Sequence, residues 1–269
     1  MAQPIPRAPL PNGDERGSAP PDAITLFTRF APSIAALPDH ERLTRADLLI
    51  PDFLLEQDPR LAIYYAPFDY INPEAKVVLV GITPGFQQME IALRASRDAL
   101  RRGTPIPEIV ARVKYQASFA GPIRKFLITM LDGIGLSHAL GIATCAALYA
   151  DRADLLQTSA VVRHPIFVGG KDWTGHTPPA RSNPLLRRYL TGVMLPELQA
   201  VPDALILSLG KCASDALAAH IATGALDPAR CLIGLPHPSG ANGHRFTQYA
   251  AVRDELTARV AAWFGRRDA

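Results

Sequence analysis

The chain has 269 residues, 48% apolar and 20% charged, with a formal net charge of +3. Such values are ordinary for a soluble globular protein, and the length suits one large α/β domain or two small ones. No apolar run approaches the roughly 18 residues that span a bilayer, and Met1-Ala2-Gln3-Pro4 opens no signal-peptide pattern, so a cytoplasmic protein without a membrane partner is expected.

In chain order, residues 1–22 are Pro-rich, lack hydrophobic periodicity and are expected to form a flexible tail ahead of a single α/β domain over 23–269. Apolar residues then recur at helical spacing from Asp22 to about Arg45, with Pro32 and Pro38 breaking the run. Residues 60–75 carry Tyr64, Tyr65, Phe68 and Tyr70 with two prolines and read as an irregular approach to a strand. Apolar runs at 76–81, about 155–162, 204–209 and 230–235 read as buried strands. Helix-compatible segments separate them at 86–102, 105–117, 121–132, 184–200 and 211–222, with a closing helix at 250–264. That alternation predicts a three-layer α/β/α sandwich around a mainly parallel four-stranded sheet. Residues 163–183, rich in Gly, Pro and polar groups, read as a long loop.

Charge is unevenly spread. Residues 1–75 carry eleven acidic and six basic side chains. Residues 90–125 carry eight basic ones (Arg94, Arg97, Arg101, Arg102, Arg112, Lys114, Arg124, Lys125) against three acidic. A local basic stripe is what phosphate contact requires, and a solvated helix face is the equally available alternative. Cys145, Cys212 and Cys231 offer neither a disulfide framework nor a CxxC pair and read as small core residues.

Two loops carry the chemical signal. Gly81-Ile82-Thr83-Pro84-Gly85 follows the strand Lys76–Val80, and His237-Pro238-Ser239-Gly240-Ala241-Asn242 follows the strand Arg230–Leu235. Functional loops gather at the carboxyl ends of parallel strands, so the two are expected to share a cleft. The first lacks the GxGxxG spacing of a dinucleotide fold and the Lys-Ser/Thr of a phosphate loop, so no nucleotide cofactor is expected.

In this order and context the two loops resemble the active-site motifs of the uracil-DNA glycosylase superfamily, and the likeness extends over most of 76–265. Leu205–Ala213 resembles its third strand and following helix. Gly121–Leu127 resembles the helix start after the base-stacking aromatic, and Leu156–Val162 the second strand. The resemblance implies a monofunctional DNA glycosylase that flips a nucleotide and leaves an abasic site, acting as a monomer without metal or other cofactor. Three cysteines are one short of the cluster of the iron–sulfur branches.

The resemblance gives His237 the role of donor to the departing base and Thr83 that of holding the attacking water. Gly81, Ile82, Gly85, Phe86, Phe119, Gln157 and Ser159 are implied in base binding. Either Phe86 or Phe119 stacks on the ring, and either Gln157 or Ser159, on one side of their strand, reads its edge. Pro84, Ser239, Gly240, Asn242 and Arg245 are implied in DNA contact. The pattern departs at three places: Thr83 replaces Asp or Asn, Ser159 stands for a base-reading Asn, and Ala241 stands where some relatives carry a bulky wedge. Gly85 fills a position that the most uracil-strict branch gives to tyrosine, and residues 86–120 read as a basic helical insertion. A 5-modified pyrimidine, such as the hypermodified cytosine of phage DNA, is therefore the expected substrate beside uracil, as in relatives that serve phage defence. A non-catalytic binder of DNA or of a modified base is the alternative, and a hydrolase of free nucleosides a weaker rival.

Overall fold

The computed structural model describes residues 23–266; the expected tail, 1–22, lies outside the described residues. The chain forms two compact units interleaved along the sequence. One comprises residues 23–71, Thr83–Ser118 and Val162–Pro196; the other comprises Asn72–Ile82, Phe119–Val161 and the chain from Glu197 onward. Eight strands occur among the described residues: β1 (Leu54–Gln57), β2 (Ala62–Tyr64), β3 (Val77–Gly81), β4 (Leu156–Ala160), β5 (Ile166–Val168), β6 (Lys171–Asp172), β7 (Leu205–Leu209) and β8 (Cys231–Leu235).

The unit that begins at Asn72 is the expected α/β body. Its strands form a wholly parallel sheet in the order β4-β3-β7-β8. All of β3, β4 and β7 is buried, which is why each reads in sequence as a continuous run rather than an alternation. Helices flank the sheet, with Lys211–Ala222 packing on β7 and β8 and Arg245–Gly265 on β8. Parallel pairing brings the carboxyl ends of all four strands to one edge, where Gly81, Ala160 and Gly210 emerge.

The other unit holds what the sequence reading missed. β1, β2, β5 and β6 form an antiparallel sheet in that order. The segment 163–183 is thus not one loop: β5 and β6 form a hairpin turning through Gly169 and Gly170, both at positive φ (55° and 73°). Residues 60–75 likewise contain β2. The helix Ala23–Ala35 runs through Pro32 rather than stopping there, and the Ala36 amide still reaches the Pro32 carbonyl at 3.1 Å. Its Phe27, Phe30 and Ile34 pack with Met89 and Leu93 of the helix Phe86–Arg101 and with Ile109 and Val113 of the helix Ile106–Ala117. The basic segment therefore belongs to a hydrophobic core shared with the N-terminal helix.

This packing consumes half of the basic stripe. Arg97 is buried and donates to the carbonyls of Pro38 and His40, and Arg101 donates to those of Ala35 and Leu37. Arg101 thereby caps the carboxyl end of the first helix, where carbonyls lack partners and the dipole favours cations, while Arg97 fastens the segment that follows it. Arg94 pairs with Glu90 at 2.6 Å, and buried Lys114 donates to the Tyr70 carbonyl. Cys145 and Cys231 are buried as expected and Cys212 is partly so. No helix among the described residues is long and apolar enough to cross a membrane.

One turn of the parallel sheet is restricted to glycine. Gly210, after β7, has φ +84° and donates its amide to the Leu235 carbonyl at 2.8 Å. A Cβ there would lie 2.8 Å from Cβ of His237. Gly210→Ala should lower unfolding free energy by about 1–3 kcal/mol, from the backbone alone, measurable by denaturant titration; an unchanged midpoint would refute the tight approach.

Candidate active site

His237 lies two residues beyond β8, against the Gly210 turn. The Ser239 amide donates to its Nδ1 at 3.3 Å. An amide can only donate, so Nδ1 is unprotonated and the ring proton sits on Nε2. Burial disfavours the charged ring and pushes its pKa down to about 4. His237 is thus a neutral donor through Nε2–H at physiological pH.

The loop around it braces itself. The Asn242 amide closes a turn onto the Ser239 carbonyl at 3.0 Å, and its side chain donates to the His237 carbonyl at 3.3 Å and to Gln248 at 2.9 Å. Ser239 Oγ accepts the Ala241 amide at 3.2 Å, which leaves the hydroxyl proton to be donated elsewhere. Gly240 is exposed, with open space where a side chain would be. Arg245 donates to the Asn242 carbonyl at 3.1 Å and lies over the rings of Phe246 and Phe126, at 4.6 and 5.2 Å from their centroids. Its first role is to hold the loop.

The same unit places Gly81, Ile82, Phe119 and Ser159 at or beside the carboxyl ends of the strands, and Gln157 near the amino end of β4. Among the described residues Phe119 alone combines a side chain with positive φ, +53°. Its ring packs on Gly81, where a Cβ would come within 3.1 Å of Phe119 Cε1. Gln157 is fully buried, its Oε1 accepting the Asn72 amide (3.1 Å) and its Nε2 donating to Glu197 (2.6 Å). Both ends of that amide serve the fold. Ser159, two residues on and beside Val80 of β3, has a buried hydroxyl without a hydrogen-bond partner.

The rest of the first motif, from Thr83, belongs to the other unit. Thr83 Oγ1 donates to the His164 carbonyl at 2.8 Å. The His164 ring is buried, with Nδ1 at 3.3 Å from the Ala66 carbonyl and Nε2 at 3.4 Å from Asp69, which also pairs with Arg163. Pro84 is half-buried between Thr83 and Gly85. Gly85 does not adjoin empty space: a Cβ there would sit 2.8 Å from Asp172 Oδ2 and 3.0 Å from Gln88 Oε1. Asp172 caps the helix start by accepting the Phe86 amide at 3.0 Å and pairs with Arg45 at 2.8 Å. Phe86 packs under Arg45 (4.4 Å) and beside Phe167. His164 and Asp172 fall within the segment read as a loop, and the Gly169-Gly170 hairpin signal was the available pointer to the position of Asp172.

Comparison with known proteins covers both motifs and all four parallel strands. The chain matches the uracil DNA glycosylase superfamily over residues 68–261. It is also 38% identical over 241 residues to the uncharacterized protein YoxB of Bacillus subtilis (strain 168), across 89% of this chain and 93% of that protein. The two strand-end loops, the parallel sheet that carries them and this match lead to one conclusion: the chain belongs to the uracil DNA glycosylase superfamily.

Proposed function

We propose that this protein is a monofunctional DNA glycosylase that extrudes a pyrimidine nucleotide and hydrolyses its N-glycosidic bond, leaving an abasic site. Its substrate is uracil or, better matched to this chain, a 5-modified pyrimidine such as hydroxymethyl- or glycosyl-cytosine. It works as a monomer on single- or double-stranded DNA.

The observation that carries this reading is the hydrogen-bond state of His237, a desolvated neutral imidazole whose Nδ1 is occupied by the Ser239 amide. As the glycosidic bond breaks, its electron pair leaves with the base and positive charge grows on the sugar. A fixed Nε2–H at the pyrimidine O2 stabilises that anion as it forms, where electrostatic catalysis is most effective. Water adds to the sugar carbon and its proton passes to solvent.

Thr83 holds that water. Its own proton goes to the His164 carbonyl, so its lone pairs accept a hydrogen from the water. A hydroxyl orients but does not deprotonate. Phe119 supports the extruded ring, and Ser159 with the backbone of Gly81 and Ile82 meets its edge. Ser239 and the Gly240 amide grip phosphate, with Pro84 and Asn242 shaping their loops. Position 85 carries no aromatic barrier against a 5-substituent, since Gly85 is flanked by Asp172 and Gln88 instead.

The absence of a carboxylate at Thr83 favours a second reading, a non-catalytic binder of DNA or of a modified base. A panel of oligonucleotides bearing uracil, thymine mispairs and 5-modified cytosines separates the two. Alkali-labile strand breaks are expected; breaks with no substrate, despite binding, would leave the binder. Breaks confined to plain uracil would remove the modified-base assignment. His237→Ala should lower kcat roughly 10²–10³-fold with binding retained. Thr83→Ala should cost only about tenfold, the worth of one neutral hydrogen bond.

Excision should also be insensitive to pH between about 7.5 and 5.5, because His237 stays neutral until pH approaches about 4. Its depressed folded-state value also means that the unfolded chain binds the extra proton first. Stability should thus fall as pH drops from about 6.5 toward 4. A kcat profile breaking near 6.5 would show that the ring is not desolvated.

A further inference from the structure

Phe246 is the one large hydrophobic side chain exposed among the described residues, at 59%. It lies four residues after Asn242, at the start of the helix Arg245–Gly265 and immediately beyond the His237–Asn242 loop. Its ring does not hang free. Phe126 and Phe246 form a T-shaped pair, with centroids 4.7 Å apart and an interplanar angle of 72°. The Arg245 guanidinium lies over it at 4.6 Å, and that arginine is tied to the Asn242 carbonyl. The ring is thus held in a fixed orientation by two neighbours while most of it remains open to solvent. Exposed Lys125 adjoins Phe126 in sequence and Arg245 adjoins Phe246, so cationic and aromatic groups are interleaved here.

We infer that the Phe126–Arg245–Phe246 cluster is a stacking platform for one unpaired DNA base outside the base-excision pocket, and that it draws the enzyme to single-stranded or locally opened DNA. This rests on the glycosylase reading above only for the identity of the polymer. Aromatic rings flanked by cations bind single strands because every base offers a π-face and every linkage a phosphate. One face of Phe246 already carries the guanidinium. The ring therefore receives a base on its open side and ends a stack; it does not slide between two paired bases. Ala241, at the loop tip, has no ring to compete for that role.

The test uses the full chain and oligonucleotides with 2-aminopurine placed singly at each position on either side of a target uracil or 5-hydroxymethylcytosine. With the wild-type chain one flanking position should be quenched in single strands, and Phe246→Ala should abolish that quench. Phe246→Ala should weaken single-strand binding roughly tenfold or more, leave fully paired duplex binding within about twofold, and keep the slope of affinity against salt, since no phosphate contact is lost. Phe246→Trp should restore the quench. Equal loss on duplex and single strand, or no position that distinguishes Phe246→Ala from wild type, would overturn the platform. Excision is scored in parallel: strand breaks without any Phe246-dependent quench defeat this inference alone, whereas a Phe246-dependent quench without strand breaks defeats the glycosylase reading alone.

Discussion

Parallel pairing of four buried strands is the constraint from which the chemistry of the sheet-bearing unit follows. A parallel strand cannot turn straight back on itself, so each connection leaves from the same edge. Gly81, Ala160, Gly210 and the Leu235-Pro236-His237 segment therefore emerge side by side, although more than 150 residues separate the first from the last. Close approach then selects the residue types. Glycine at 210 makes room for the His237 side chain, and glycine at 81 makes room for Phe119, whose left-handed backbone is tolerated because its ring is seated there. Partial burial along that edge disfavours the charged form of His237, and the Ser239 amide fixes the tautomer.

The other unit solves a different problem. It closes a hydrophobic core from an N-terminal helix, two basic helices and a small antiparallel sheet, and it does so with two buried cations, Arg97 and Lys114, and the exposed Arg101. Arg97, Arg101 and Lys114 each end on backbone carbonyls that packing would otherwise leave without donors. Their charge is structural, and what the protein offers to phosphate is correspondingly smaller than the sequence count suggests. The same economy applies to Gln157, whose amide bridges Asn72 and Glu197.

Much of the α/β unit was legible in the sequence because a strand buried on both faces leaves an uninterrupted apolar run bounded by Gly and Pro. Val77–Gly81, Leu205–Leu209 and the helix Lys211–Ala222 fall within a residue or two of their expected limits. The short strands β2, β5 and β6 were not legible, since two or three residues cannot establish a period. Pro32 misled because a proline breaks a helix only where its missing donor and its ring are not accommodated. The two loop motifs were visible as local strings. Which of Gln157 and Ser159 retained an uncommitted side chain was not, because the partners of Gln157 lie 85 and 40 residues away. The side chain beside Gly85 was hidden for the same reason: Asp172 is 86 residues beyond Phe86, whose amide it accepts.

The pairing of Asp172 with Arg45 joins two half-exposed side chains, each 43% accessible. Such a link is weak and is screened by dissolved ions. It nevertheless fastens the carboxylate that caps the helix directly after Thr83-Pro84-Gly85. Dissolved ions thus loosen the fastening of that carboxylate, so ionic strength acts on the conformation of this segment directly.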